Sequence, residues 1–143
     1  MRRPRKPVRN PPVFTGSAAL RVTPGPQAHL FHDEIYTSEY TASEESNRMG
    51  IRLKGPALTA PGGGMISEGV ALGAIQIPPD GQPIILFVEH QTSGGYPKPA
   101  NVISADFWQL GQLRPRDHVL FERITIEGAV ELLRDQEEWL MNI

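Results

Sequence analysis

Two apolar runs, Val70-Ala71-Leu72-Gly73-Ala74-Ile75-Gln76-Ile77-Pro78 and Pro83-Ile84-Ile85-Leu86-Phe87-Val88, are separated only by Pro79-Asp80-Gly81-Gln82. Proline presets one backbone angle and Asp-Gly accepts positive φ, which is the composition of a hairpin turn. The runs are therefore predicted to pair as antiparallel strands, the first buried on both faces. Pairing about that turn carries their far ends together and sets Glu68-Gly69 beside Gln91-Thr92-Ser93-Gly94-Gly95-Tyr96-Pro97. In this bend Gly94 and Gly95 lack β-carbons, so the chain can take positive φ or lie hard against a ligand or another segment. Tyr96 adds a ring and a hydroxyl, and Pro97 fixes the exit. Two readings stay open: a site on a sterically open polar bend, or a hairpin whose glycines serve only the turn.

The rest of the chain is punctuated in the same way. With 14 Gly and 14 Pro among 143 residues, and 39% apolar residues, a turn-rich, mainly β domain is expected. Short strands are predicted at residues 20–23, 39–42, 47–55, 100–103 and 118–124. In the third of these, Met49, Ile51 and Leu53 alternate with Arg48, Gly50, Arg52 and Lys54, giving one wet, basic face. One or two helical turns fit residues 27–35. Ser104 is placed to cap a small helix carrying Phe107, Trp108 and Leu110. Thr125 is placed to cap a last helix whose apolar positions are Ile126, Ala129, Val130, Leu133 and Leu140. Six or seven strands with two or three peripheral helices point to a small closed β-barrel.

Charge is uneven along the chain. Arg2, Arg3, Arg5, Lys6 and Arg9 stand among Pro4, Pro7, Pro11 and Pro12 with no acid before them or between them. Residues 1–18 are expected to form a disordered, basic, Pro-rich lead, and residues 19–143 the folded domain. The acidic remainder, without an aromatic stacking platform, argues against nucleic acid as a partner. The absence of cysteine excludes disulfides, thiolate zinc sites and cysteine nucleophiles. His29 and His32 are three apart, but with no third ligand no metal is expected. No apolar run reaches the roughly 20 residues of a membrane span, and the basic start lacks the apolar centre of a secretory signal, so a cytoplasmic location is expected.

Several polar residues invite chemistry. Arg48 offers a guanidinium fork suited to carboxylate or phosphate, or is simply a solvated or paired arginine. Glu68 and Gln76 punctuate the first apolar run; a carboxylate there is a surface or paired group, a general base, or an ammonium anchor. His90 can serve as a base or be structural. Ala60-Pro61-Gly62-Gly63-Gly64 lacks the Lys-Ser/Thr and the helix of a phosphate-binding loop.

Three ordered blocks carry a resemblance. They are Ser46-Asn47-Arg48-Met49-Gly50-Ile51-Arg52-Leu53-Lys54-Gly55-Pro56, then Ser67-Glu68-Gly69 continuing through Gln76 to Pro83, then Gln91-Thr92-Ser93-Gly94-Gly95-Tyr96-Pro97-Lys98. Ile103-Ser104-Ala105-Asp106 and Gln112-Leu113-Arg114-Pro115 continue it. Over about residues 20–124 the chain resembles the allophanate hydrolase subunit 2, or biotin-dependent carboxyltransferase A/B, family. This group includes the C subunit of 5-oxoprolinase, the Kip antagonist protein and the carboxyltransferase region of urea carboxylase. The resemblance implies a cyclophilin-like barrel. It implies a subunit 1 type partner (the B subunit of 5-oxoprolinase, or Kip inhibitor-like), a small amide substrate, ATP used together with partner subunits, and in some members biotin presented by another domain. Opening a lactam or carboxylating urea both require fixed donors where charge develops on oxygen. By position the resemblance implies Arg48, Glu68, Gln91 and Tyr96 as catalytic candidates, and Gln76, Thr92, Gly94 and Gly95 as substrate-binding candidates.

The chain also departs from the family pattern. Only the C-terminal half of the family's length is matched, which leaves a truncated, non-catalytic, partner-binding module as an alternative. Glu89-His90 stands where relatives have Asp-Arg or Asp-His. Ser93 and Pro99 replace the usual Thr and Ile, and the stretch between Phe31 and Tyr40 is shorter. Arg116 replaces a glycine suited to positive φ, a loss of about 1 kcal/mol if that geometry persists.

Overall fold

Residues 15–60 and 67–142 are described by the computed structural model. β1 (Ser17–Pro24) buries Ala18, Leu20 and Val22, with the intervening residues facing outwards. It starts ahead of the expected Leu20, so Ser17 and Ala18 belong to the strand and not to a structureless lead. Residues 1–14 of that lead, and residues 61–64 of the Gly-rich loop, lie outside the described residues. A 3₁₀ turn (Ala28–Leu30) and α1 (Glu34–Thr37) fill the stretch where one or two helical turns were expected. β2 (Tyr40–Ala42) and β3 (Gly50–Lys54) follow.

The long run at 70–78 does not form one strand. β4 (Glu68–Gly69) and β5 (Ala74–Gln76) are separate, because Gly73 between them has a φ of 88°. A β-carbon there would also press on the Phe107 ring at 2.6 Å. Then come β6 (Ile84–Leu86), β7 (Ser93–Gly94), β8 (Ala100–Val102), a 3₁₀ turn (Ser104–Asp106), α2 (Phe107–Leu110), β9 (His118–Arg123) and α3 (Ile126–Met141).

Seven strands close into a barrel in the order β1-β8-β5-β6-β3-β2-β9, and β4 with β7 forms a separate two-stranded ribbon. Closure is made by β1, which runs antiparallel to β8 (Val22 opposite Val102) and parallel to β9 (Leu20 opposite Phe121). The interior holds Leu20, Val22, Tyr40, Leu53, Ile75, Ile85 and Val119, each at most 1% exposed. Each large aliphatic side chain so buried contributes about 1.5–3 kcal/mol. The mainly β closed barrel read from the sequence is thus the observed architecture.

Some local expectations need correcting. In β3 the buried residues are Gly50, Ile51 and Leu53, whereas Met49 is exposed and Arg48 precedes the strand. Ser104 opens the 3₁₀ turn but makes no side-chain cap. Thr125 does cap α3, its Oγ1 accepting from Gly128 N at 3.1 Å. The inward side of α3 consists of Gly128, Ala129, Leu132, Leu133, Gln136 and Trp139, all half-buried, while Ile126, Val130 and Leu140 are exposed. Gln136 ties the helix to the barrel by donating to Ala105 O at 2.9 Å. Below it, fully buried Asp106 accepts from Arg21 N, Nε and a terminal guanidinium nitrogen at 2.8, 3.0 and 2.6 Å. These bonds satisfy a buried carboxylate as such a charge requires.

Candidate functional site

The hairpin sets the frame. β5 and β6 pair antiparallel with Gln76 opposite Ile84, and the turn is closed by Gly81 N donating to Pro78 O at 2.9 Å. Beyond the near end of β5, β4 pairs antiparallel with β7, placing Glu68 opposite Gly94 and Gly69 opposite Ser93. Val70 N extends this pairing to Thr92 O at 3.3 Å, and Ile77 N holds Pro97 O at 3.0 Å. The stretch 92–97 therefore lies between β4 and the end of β5, as the hairpin pairing predicts.

The glycines are used for proximity and not for a turn. Glycines with positive φ among the described residues are Gly16, Gly73 and Gly81, so neither Gly94 nor Gly95 adopts it. A β-carbon on Gly94 would overlap the amide nitrogen of Gln76, whose side chain is packed beneath it and is 8% exposed. The hairpin-turn reading of the bend is not what is found: residues 93–94 are a strand paired with β4, and Gly94 lies against the Gln76 side chain.

At this junction Glu68 meets two residues to which the sequence reading gave no role. Gln27 Nε2 donates to Glu68 Oε1 at 3.0 Å, while Gln27 Oε1 accepts from Lys98 N at 2.9 Å. The segment 25–27 is itself docked on the same strip of backbone, Gly25 N reaching Pro99 O at 2.9 Å and Gln27 N reaching Lys98 O at 3.1 Å. Lys98 Nζ lies 2.7 Å from the same Glu68 Oε1. Its side chain is 3% exposed and that of Glu68 39%. The approach is an ion-pair contact without hydrogen-bond alignment, and among the described residues the ammonium has no aligned acceptor. Lys98 first, then Gln27, hold the Glu68 carboxyl below the usual carboxylate range, against a smaller opposing effect of burial. Lys98 closes the Gln91 block and Gln27 follows Pro24-Gly25-Pro26, but only the docking of the two segments reveals their joint role.

The remaining candidates are less gathered. Arg48 is joined to the entrance of the bend, its O accepting from Glu89 N at 2.8 Å, yet its guanidinium Nε is engaged with Glu89 Oε1 at 3.1 Å and is 72% exposed. Gln91, Thr92 and Tyr96 are exposed and Gly95 is half-buried. His90 Nδ1 lies against the carbonyl of its neighbour Gln91. The structure thus groups Glu68, Gln76 and Gly94 with Gln27 and Lys98, and leaves Arg48 on a surface ion pair beside the approach.

A separate hollow of about 480 Å³ is lined by His29, Phe31, His32 and Thr59. No cluster of three metal-ligating side chains occurs there or elsewhere among the described residues. No helix among them is long and apolar enough to cross a membrane.

Residues 2–123 match the family described as carboxyltransferase domain, subdomain A and B. The chain is 41% identical over 109 residues to the C subunit of 5-oxoprolinase from Haemophilus influenzae, covering 76% of this chain and 35% of that protein. It is 36% identical over 125 residues to the C subunit of 5-oxoprolinase from Escherichia coli, covering 84% and 40%. Its fold superposes on the crystal structure of the K. lactis urea amidolyase with a TM-score of 0.85 at 26% identity, over 92% of this chain and 9% of that one. The chain therefore spans well under half the length of these relatives.

Proposed function

The chain belongs to the carboxyltransferase domain family of subdomains A and B, and on that premise we propose that it is a component of an ATP-dependent 5-oxoprolinase. In this reading it is akin to the C subunit of that enzyme and acts on a small cyclic amide with a partner resembling the B subunit. The observation that carries this reading is the Glu68 junction, built from four separate segments in a chain whose relatives include two 5-oxoprolinase C subunits. An amide N–H needs an acceptor, and a carboxylate kept ionised supplies one. Donors for the carbonyl oxygen then come from the exposed polar face beside it, where Thr92 and Tyr96 stand, with Arg48 free to exchange Glu89 for substrate.

A triphosphate does not suit this junction. Its solvent-facing group is a carboxylate, and the ammonium behind is already within ion-pair distance of it. ATP is accordingly assigned to partner chains. Such ATP-dependent chemistry fits a cytoplasmic setting.

A second reading, a urea carboxylase-type carboxyltransferase domain meeting biotin carried by another domain, is favoured by the close superposition on the urea amidolyase fold. Co-purification with a partner of the B-subunit type, followed by ATP turnover on addition of 5-oxoproline or of urea with a biotinylated carrier, separates the two. Arg48→Ala and Tyr96→Phe should each lower turnover at least about tenfold, the scale of one lost transition-state donor. Turnover indifferent to both substitutions removes these two residues from the site. Partner binding without turnover on either substrate leaves the partner-binding module and rejects the enzymatic reading.

A further inference from the structure

Lys98 is a costly residue where it stands. An ammonium with three hydrogens is 3% exposed, and among the described residues it has one nearby carboxylate oxygen and no aligned acceptor. A buried charge is costly unless it is paired, and among the described residues the pairing here is with Glu68. Its partner is arranged asymmetrically. Both Lys98 Nζ and Gln27 Nε2 act on Glu68 Oε1, at 2.7 and 3.0 Å, so the fixed oxygen is Oε1, and Oε2 carries no bond among these contacts. The side chain is 39% exposed while the ammonium behind it is covered. β7 contributes only Ser93 and Gly94 alongside Glu68, and β5 contributes the neutral Gln76 beneath Gly94. Among the described residues of the junction, Lys98 is thus the cation set against this carboxylate, and Gln27 the neutral donor.

We infer that Lys98 is a positioning residue that fixes Glu68 as an ionised acceptor whose second oxygen is unbonded among the described residues, making the site selective for ligands that offer an N–H. The inference rests on the amide-binding reading above and adds to it the group being read and the residue that keeps it legible. A lactam and urea both present such an N–H beside a carbonyl. An N-methylated lactam offers the same carbonyl and ring but no donor, and sets a methyl group where the second carboxylate oxygen expects an N–H. Lowering of the Glu68 titration by Lys98 agrees with this arrangement.

The test uses the full chain assembled with its partner protein, with 5-oxoproline, urea and N-methyl-5-oxoproline as probes across pH. With the wild type, the N-methyl compound should bind at least about tenfold more weakly than 5-oxoproline. The acid limb of the KM profile should lie below the ordinary glutamate range. Lys98→Met should move that limb upward in pH, Lys98→Arg should restore it towards the wild type, and Glu68→Gln should abolish it. Carboxyl NMR titration of Glu68 in wild type and Lys98→Met gives the same comparison without turnover. If Lys98→Met does not fold, Lys98→Gln, which also removes the charge but keeps a polar side chain, takes its place in the same comparison. An unchanged limb and an unchanged Glu68 titration in Lys98→Met, or equal binding of the N-methyl compound, overturns the inference while the amide reading stands. No binding of either 5-oxoproline or urea by the wild-type assembly overturns the reading and the inference with it.

Discussion

Gln76 occupies the space that a β-carbon on Gly94 would need, so that the floor of the candidate site is the amide of one strand pressed against the bare backbone of another. Gly94→Ala should displace the Gln76 side chain and loosen β7 from β4. Overpacking of this kind costs about 1–3 kcal/mol. Thermal unfolding checks the stability loss, and ligand affinity should fall further than the stability alone explains.

Arg116 holds a φ of 76°, the left-handed conformation in which a side chain is strained and glycine is not. Its N donates to Ala42 O at 2.8 Å, which fixes that geometry, while its guanidinium makes a long, exposed contact of 3.4 Å to Glu44. Arg116→Gly should therefore stabilise the chain by about 1 kcal/mol. Arg116→Ala, which removes the ion pair but keeps the β-carbon, should change stability little. Denaturant midpoints of the two variants make the comparison, and a destabilised glycine variant counts against strain at this position.

Asp106 is fully buried and accepts three hydrogen bonds from Arg21. Removal of the carboxylate by Asp106→Ala leaves the guanidinium and a backbone N–H without their acceptor. The expected loss is about 3–5 kcal/mol, with Asp106→Asn intermediate because it retains one acceptor oxygen. Equilibrium unfolding in urea measures both.

Glu68 links stability to pH. Its carboxyl is held below the ordinary glutamate value of 4.5 in the folded chain by Lys98 and then Gln27. A depressed carboxyl contributes stability that is fully present above the unfolded value and is lost as pH falls through the folded value. The difference in unfolding temperature between wild type and Glu68→Gln should therefore be constant above about pH 5 and shrink below about pH 4.5. A difference that does not change across this window would mean that Glu68 is not held ionised by its neighbours.

Thr125 caps α3 through Gly128 N, and no side chain of the helix is fully buried. Thr125→Ala should remove about 1 kcal/mol of local helix stability. Hydrogen exchange should show faster opening of the first turn of α3, with the barrel amides unaffected.

Local chemistry made much of this protein legible from its sequence. Asp80-Gly81 could only be a turn between two apolar runs, and that turn alone brought Glu68 beside Gly94. Alternation placed Ile51 and Leu53 inward because a pleated strand has two faces, although Met49, which it set with them, is exposed. Thr125 announced its helix because few other side chains can reach the orphan N–H groups there. Three decisions were made only by the tertiary structure. Gly73, at a φ of 88°, keeps the apolar run from forming one strand, and the Phe107 ring of a distant helix occupies the space a side chain there would need. Arg48, attractive as an anion ligand, faces Glu89 because their backbones are joined by the pairing of segments 48–53 and 84–89. Lys98 and Gln27 share Glu68 across 71 residues of chain. No periodicity records such a meeting, because the energy of a buried charge depends on what the closed barrel sets beside it and not on its neighbours in sequence.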